Sequence, residues 1–387
     1  METPTFSHSD CQKIVSKKLN DDFAIVEVRN STFDHKNGYL GDHSLLTVTI
    51  KRNQCNESHN FFVKTLPTVP SQRQFLLEIN GFFKEQRFFT RYLDLLRKHS
   101  IKVLDGAIPR CFLVNDETFV FDDLVTKGYT TLPSRVPLDL ESVKAALTTF
   151  AKLHASCIIL EEKKQFRLVD EFEEEVAETF YSDKDLTHTQ TMTIPKHMFM
   201  EKFLDGLDQQ KLFAQPSTKF RNTICHGDPW TKNLMFKFDD RDVKCVMVDF
   251  QSYRYCPPGQ DVMAFLHLTT DKKLRDEHLD QVLGFYHDEL DQNFGKHGLK
   301  GLIPRDEFFD SCHYFKQFAL LQTLTHFQIV IMSDEIATEV MSDPSVAQFV
   351  FFENKYDFVV SSWHRDPIFR KMNLEALDEL RLFFENK

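Results

Sequence analysis

The segment ICHGDPWTKNLMF, residues 224–236, is the densest polar cluster in the chain and holds His226, Gly227, Asp228 and Asn233. The run VKCVMVDF follows, ends on Asp249 and Phe250, and leads into Gln251. A carboxylate such as Asp228 can orient a hydroxyl and take its proton as the oxygen attacks phosphorus. Charge growing on the phosphate oxygens needs Mg²⁺ to neutralise it. Mg²⁺ is a hard cation with oxygen ligands, so the Asn233 carbonyl and the Asp249 carboxylate suit it. A loop followed by a tight hairpin would bring those two groups to one ion. Taken singly, Asp228 reads equally as a turn carboxylate after Gly227, and Asn233 as a turn or cap amide.

Taken together, D-x₄-N and a later D-F repeat the spacing of a protein-kinase catalytic loop and the start of its metal-binding D-F-G, with Gln251 where the glycine stands. Phosphoryl transfer from ATP also needs a cation on the α- and β-phosphates. Lys64, in FFVKTLP, is the candidate; its plainer reading is a surface lysine on an edge strand. A helical glutamate should hold it, Glu85 in FFKEQRFF first and Glu78 in reserve. Either is otherwise an exposed helix charge. Gly38, Gly41 and Ser44 offer backbone N–H groups to phosphate, although no G-x-G-x-x-G is present and a plain turn fits them nearly as well. Asp122, Asp123 and Leu124 close the run TFVFDDLV, where a lobe connection would meet adenine through backbone groups.

Elements must position these residues. Residues 8–30 read as a short helix and the strand FAIVEVRN. Gly38 and Gly41 precede the alternating Leu46, Val48 and Ile50, a loop entering a strand. NESHN marks a turn before FFVKTLP, so a hairpin with its loop near Asn53–Asn60 is expected. Residues 75–99 carry Phe75, Ile79, Phe82, Phe83, Phe89, Leu93 and Leu96 at helical spacing, weakened at Gly81. CFLV and TFVFDDLV add two strands. Helix dominates from 140 onward, with EFEEE a solvated acidic run inside a charged stretch, 161–222. NLMFKF and VKCVMVDF form a small hairpin beside the polar cluster, and helices resume from 260 with breaks near Gly298–Pro304, Asp343–Pro344 and Arg365–Pro367. The expected fold is α+β and bilobal. Residues 1–124 form a β-rich, nucleotide-binding lobe with one long helix. Residues 125–387 form a larger helical lobe with the catalytic hairpin and the acceptor site.

The formal net charge of −11 disfavours nucleic acid or an anionic membrane as the main partner. The eight cysteines include no C-x-x-C pair, so a zinc ribbon is excluded. METPTFSHSDCQK has no apolar core of a secretory signal, and no run approaches 18 apolar residues, so no membrane span is expected. A cytoplasmic protein follows. Phenylalanine is abundant, 39 of 387 residues. That surplus fits a Phe-rich core and leaves room for an apolar acceptor pocket, with FFDSCHYFKQF and FVFFENKYDF reading equally as its walls or as core.

These residues together resemble the ecdysteroid kinase-like (CHK kinase-like) family, related to choline kinases and aminoglycoside phosphotransferases. The likeness rests on FFVKTLP, on F-x-x-E-x-x-F-F at 82–89, on FDDLVTKGY and FAKLHASC, and above all on HGDPWTKNLMF and VDFQSYRYCPPGQDVMAFL. It implies a protein-kinase-like fold and ATP- and Mg²⁺-dependent phosphorylation of a small-molecule hydroxyl, ecdysteroids being the namesake substrates. It makes Asp228 the base, Asn233 and Asp249 the Mg²⁺ ligands, Lys64 the phosphate lysine with Glu85 its partner, and Asp261 a support of the catalytic loop. His154 and His226 become packing or bracing residues. Asp122 stands where the family often has Glu, Phe89 where it often has Tyr, and the glycine loop matches loosely. A catalytically silent protein that holds a lipid or steroid on the same fold is the alternative. A protein kinase is disfavoured by H-G-D in place of H-R-D and by the lack of A-P-E.

Overall fold

The computed structural model describes residues 5–19, 21–33, 41–179, 206, 209–240, 242–343, 345–346, 350 and 355–386. Gly38, residues 180–205 and 207–208 of the helical stretch expected at 161–222, and half of FVFFENKYDF lie outside the described residues.

Strands β1 (Ala24–Thr32), β2 (Asp42–Arg52), β3 (Cys55–Thr65), β4 (Cys111–Val114) and β5 (Thr118–Asp122) form one antiparallel sheet in the order β1-β2-β3-β5-β4. Side chains alternate across a strand, so Leu46, Val48 and Ile50 share one face of β2. They pack there with Phe61, Val63, Phe112 and Val120 under Cys11, Ile14 and Val15 of α1 (His8–Lys18). Ser7 starts α1 by accepting a hydrogen bond from the Asp10 N–H.

The β2–β3 hairpin is tighter than expected. Arg52 pairs with Cys55, and Asn53 and Gln54 take left-handed φ values of 50° and 66°. A two-residue turn with both φ positive matches the twist of its strands. NESHN therefore lies in β3 and not in a loop.

The single helix expected at 75–99 is also corrected. It starts earlier as α2 (Pro70–Glu78), stops where Asn80 turns left-handed at φ 54°, and restarts as α3 (Gly81–Arg87). A Cβ on Gly81 would come within 3.1 Å of Leu76, so the restart favours glycine. A π turn, Phe88–Tyr92, then leads into α4 (Leu93–Lys98). Wider turns of this kind are frequent at functional sites. Here it buries Phe88, Phe89 and Tyr92 and lays the Phe88 ring flat on Phe250, with centroids 4.0 Å apart.

The second half is built on α5 (Leu140–Lys164), started by Asp139 accepting from the Ser142 N–H. Among the described residues α5 is the one helix long and apolar enough to cross a membrane, and 78% of its most apolar window is buried inside the protein. Val143, Leu147, Phe150 and Leu153 are buried there with Phe236, Met247, Phe265 and Tyr286. Burying a side chain of that size contributes about 1.5–3 kcal/mol. Two small sheets flank it. One has β6 (Thr130–Thr131) beside β8 (Leu234–Asp239) and β9 (Asp242–Met247); the other pairs β7 (Thr223–Cys225) with β10 (Arg254–Cys256). Helices Pro258–Thr269, Lys272–Gly295, Arg305–Val330, Asp334–Ser342, Tyr356–Arg365 and Pro367–Glu385 follow in the same lobe. The molecule is thus α+β with a β-rich first half and a helical second half, the bilobal arrangement of protein kinases.

Two short helices, α6 (Leu168–Glu171) and α7 (Glu173–Val176), follow α5. The acidic run here is only partly solvated, because Glu175 is buried in an ion pair with Arg91. The chain after α7 acts as a strap. Lys84 on α3 donates to the Ala177 carbonyl at 2.7 Å, Thr179 donates to the Ile79 carbonyl at 2.5 Å, and Glu178 meets buried Arg254 at 3.1 Å.

Candidate active site

The loop after β7 is held by its backbone. Asp261 accepts from the His226 N–H at 2.7 Å and from the Gly227 N–H at 3.1 Å. His154 approaches the same carboxylate at 3.1 Å with one ring nitrogen, while the other lies 2.6 Å from the Tyr286 hydroxyl. Burial pushes the Asp261 carboxyl up, but His154, His226 and the donated N–H outweigh it and hold it below the usual range. Gly227 has φ 83°, and a Cβ there would sit 2.1 Å from the Ser252 carbonyl, so only glycine fits. The Gly227 carbonyl accepts from Arg254 at 2.7 Å and from Gln322 at 3.3 Å.

These ties fix Asp228. Its Oδ2 and its carbonyl each accept from the Asn233 amide at 2.9 Å. Its Oδ1 lies 3.6 Å from His326 Nε2. Burial works to raise the Asp228 carboxyl, yet His326, His226 and Asn233 lower it further, which keeps it an anion able to accept a proton.

Asp249 departs from the expected strand end. β9 stops at Met247, and the Val248 N–H makes one more rung by donating to the Asn233 carbonyl at 2.9 Å. Asp249 then turns left-handed at φ 67°. Such a conformation in a non-glycine residue costs about 1–3 kcal/mol and persists where surrounding bonds hold it. It carries the carboxylate to within 3.0 Å of Lys64 Nζ. Asn233 Oδ1 and Asp249 Oδ2 accept no hydrogen bond among the described residues, and the Val248–Asn233 rung joins their backbones. An amide oxygen and a carboxylate oxygen so placed fit Mg²⁺.

Lys64 is buried on β3, 4% exposed. Its Nζ lies 2.6 Å from Glu85 Oε2, and Glu85 Oε1 accepts from the Phe250 N–H at 3.2 Å. Burial alone would lower the Lys64 pKa; Asp249 and Glu85 reverse this and raise it. Glu78, the reserve partner, instead accepts from Gln74 at the surface at 2.9 Å. Gly41, at φ 111°, lies beside this lysine, since a Cβ there would be 3.6 Å from Lys64 Cε. Ser44 does not present its backbone to a phosphate loop. It sits in β2 between Thr32 and Val63, where the sheet occupies the main chain.

The turn after β5 uses most of its own polar groups. The Asp122 N–H donates to the Arg110 carbonyl at 2.9 Å, and its carboxylate meets Lys127 at 2.6 Å and Lys18 at 3.6 Å. Asp123 Oδ1 accepts from the Val125 N–H at 3.0 Å. The Leu124 carbonyl accepts from Lys127 and Tyr129, whereas the N–H of buried Leu124 makes no hydrogen bond among the described residues.

Arg254, Gln322 and His326 were invisible to local spacing, since each reaches the loop from a distant element. The one signal was a charged residue, Arg254, set among aromatic and apolar neighbours in QSYRYC. The stretch FFDSCHYFKQF is divided: its phenylalanines enter the core, while His313, Tyr314, Lys316 and Gln317 line a surface cavity with Phe213. Phe308 packs on Tyr286, and Phe315 and Phe318 are buried with Phe220 and Ala264.

The ecdysteroid kinase-like family model matches residues 37–299. No curated protein matches the chain. Among solved structures, a candidate aminoglycoside phosphotransferase from Ralstonia eutropha shares 11% identity and a TM-score of 0.46, over 96% of this chain and 98% of that one. An ethanolamine kinase from Plasmodium vivax shares 9% identity at a TM-score of 0.39, over 89% and 83%. A microcompartment-associated aminopropanol kinase shares 12% at 0.39, over 84% and 93%. At these scores the likeness is loose.

Proposed function

The chain belongs to the ecdysteroid kinase-like family, and on that premise we propose that it transfers the γ-phosphoryl group of ATP to a hydroxyl of a small molecule. The observation that carries the reading is the joining of Lys64, Asp249, Asn233 and Asp228 through one connected set of bonds, from β3 to the catalytic loop. Lys64, fixed by Glu85, meets the α- and β-phosphates. The free Leu124 N–H meets adenine. Asn233 and Asp249 hold Mg²⁺, which, when bound, neutralises charge on the phosphate oxygens. Asp228 orients the acceptor hydroxyl and takes its proton. The acceptor oxygen bonds to the γ-phosphorus as the bond to the bridging oxygen of ADP breaks, giving a phosphate ester and ADP.

Ecdysteroids are the first acceptors to test, as the family's namesake substrates. The eight unpaired cysteines agree with a reducing cytosol, where ATP is plentiful. Purified protein, γ-labelled ATP, Mg²⁺ and a panel of ecdysteroids and other alcohols test the reading. A labelled ester that Asp228→Asn does not form supports it. No ester from any alcohol, together with no thermal shift on adding ATP and Mg²⁺, favours a silent binding protein.

A further inference from the structure

The helix Arg305–Val330 lies beyond the matched residues, yet it reaches the reaction centre twice. Gln322 and His326 are four residues apart, which places them on one helix face. Gln322 donates to the Gly227 carbonyl at 3.3 Å, and His326 Nε2 lies 3.6 Å from Asp228 Oδ1. The helix is anchored for this. Leu320, Leu321, Leu324 and Phe327 are buried with Trp230, which stands two residues after Asp228 in the catalytic loop.

The His326 ring is itself oriented. Its Nδ1 lies 3.0 Å from the Gln322 carbonyl and 3.4 Å from the Thr325 hydroxyl. Nε2 faces Asp228. In the cationic ring both nitrogens donate, and Nε2–H points to the carboxylate as a charge-assisted partner. Asn233 restrains one carboxylate oxygen from the catalytic loop, and His326 stands over the other from a separate element. A separation of 3.6 Å exceeds a direct hydrogen bond and leaves Oδ1 open to an incoming hydroxyl.

We propose that His326 is a positioning residue for this phosphotransfer: it fixes the rotation of the Asp228 carboxylate so that Oδ1 meets the acceptor hydroxyl. The inference rests on the phosphotransferase reading above. Displacing a reacting group by about 1 Å can cost on the order of 100-fold in rate. His326→Ala should therefore lower kcat by roughly 10- to 100-fold. KM for ATP, and the rise in Tm that ATP with Mg²⁺ produces, should stay unchanged. His326→Gln, which restores a donor near Nε2, should recover most of kcat. The assay is steady-state phosphorylation of ecdysone, with thermal unfolding of each variant.

A wild-type kcat in His326→Ala overturns the proposal. So does a His326→Gln no better than His326→Ala at equal Tm. If wild-type protein phosphorylates neither ecdysone nor any panel alcohol, the kinase reading fails by itself. The contact is then judged by ¹⁵N-histidine NMR. A move of the His326 ring signals in Asp228→Asn upholds it, and unmoved signals overturn it.

Discussion

Lys64 and Asp228 are the two charged groups on which the proposed reaction turns, and the protein holds them in opposite ways. Lys64 is sealed in the interior, with two carboxylates within 3.0 Å and almost no water contact. Asp228 keeps a side chain 30% exposed, with one oxygen bonded to Asn233 and the other facing His326 across a gap. A group that only presents charge can be locked into a pair. A group that exchanges a proton with an incoming hydroxyl must keep an oxygen open. Burial and pairing are thus allotted by task.

The sharpest separation is in activity. Asp228→Asn should reduce kcat by about 10²- to 10⁴-fold, while its Tm stays close to wild type. A stability loss as large as that of a Lys64 variant would break the contrast. Next comes Lys64→Met, which leaves Glu85 buried without a counter-charge. Removing one member of a buried pair costs about 3–5 kcal/mol. Chemical denaturation should show a loss of that order, and the thermal shift with ATP should vanish. A Lys64→Met, Glu85→Met double variant should regain stability but no ATP response.

Titration sharpens the comparison from the other side. The Lys64 pKa is raised, so its pairing stabilises the fold fully below the unfolded value of about 10.4 and is lost as pH rises through the higher folded value. Asp228 and Asp261 are lowered, so their contribution is present above about pH 4 and is lost as pH falls through their folded values. Metal-free stability curves should therefore show an alkaline loss that Lys64→Met removes and an acid loss that Asp261→Asn removes. The opposite assignment would refute it. The smallest effect is expected of Gln322→Ala. Arg254 still serves the Gly227 carbonyl, so the cost should be about 0.5–1.5 kcal/mol with a few-fold fall in kcat.

What was legible in the sequence followed the range of the contacts. D-x₄-N, V-K in a strand and the alternation of β2 are local, and all were readable from spacing. The two-residue length of the turn at Asn53–Gln54 and the break at Asn80 were missed because each rests on left-handed residues that are not glycine. The left-handed turn at Asp249 was hidden for the same reason. EFEEE read as solvated because nothing local announces Arg91. His326 and Gln322 lie in an apolar helix, 98 and 94 positions after Asp228, and no local pattern ties them to it.

The strap at Ala177–Thr179 carries one more consequence. It grips α3, which bears Glu85, and through Glu178 it grips Arg254, which holds the Gly227 carbonyl. The two halves of the cleft are therefore mechanically in series. A load that swings α3 outward would pull on the catalytic loop as well, because the same short segment is bonded to both.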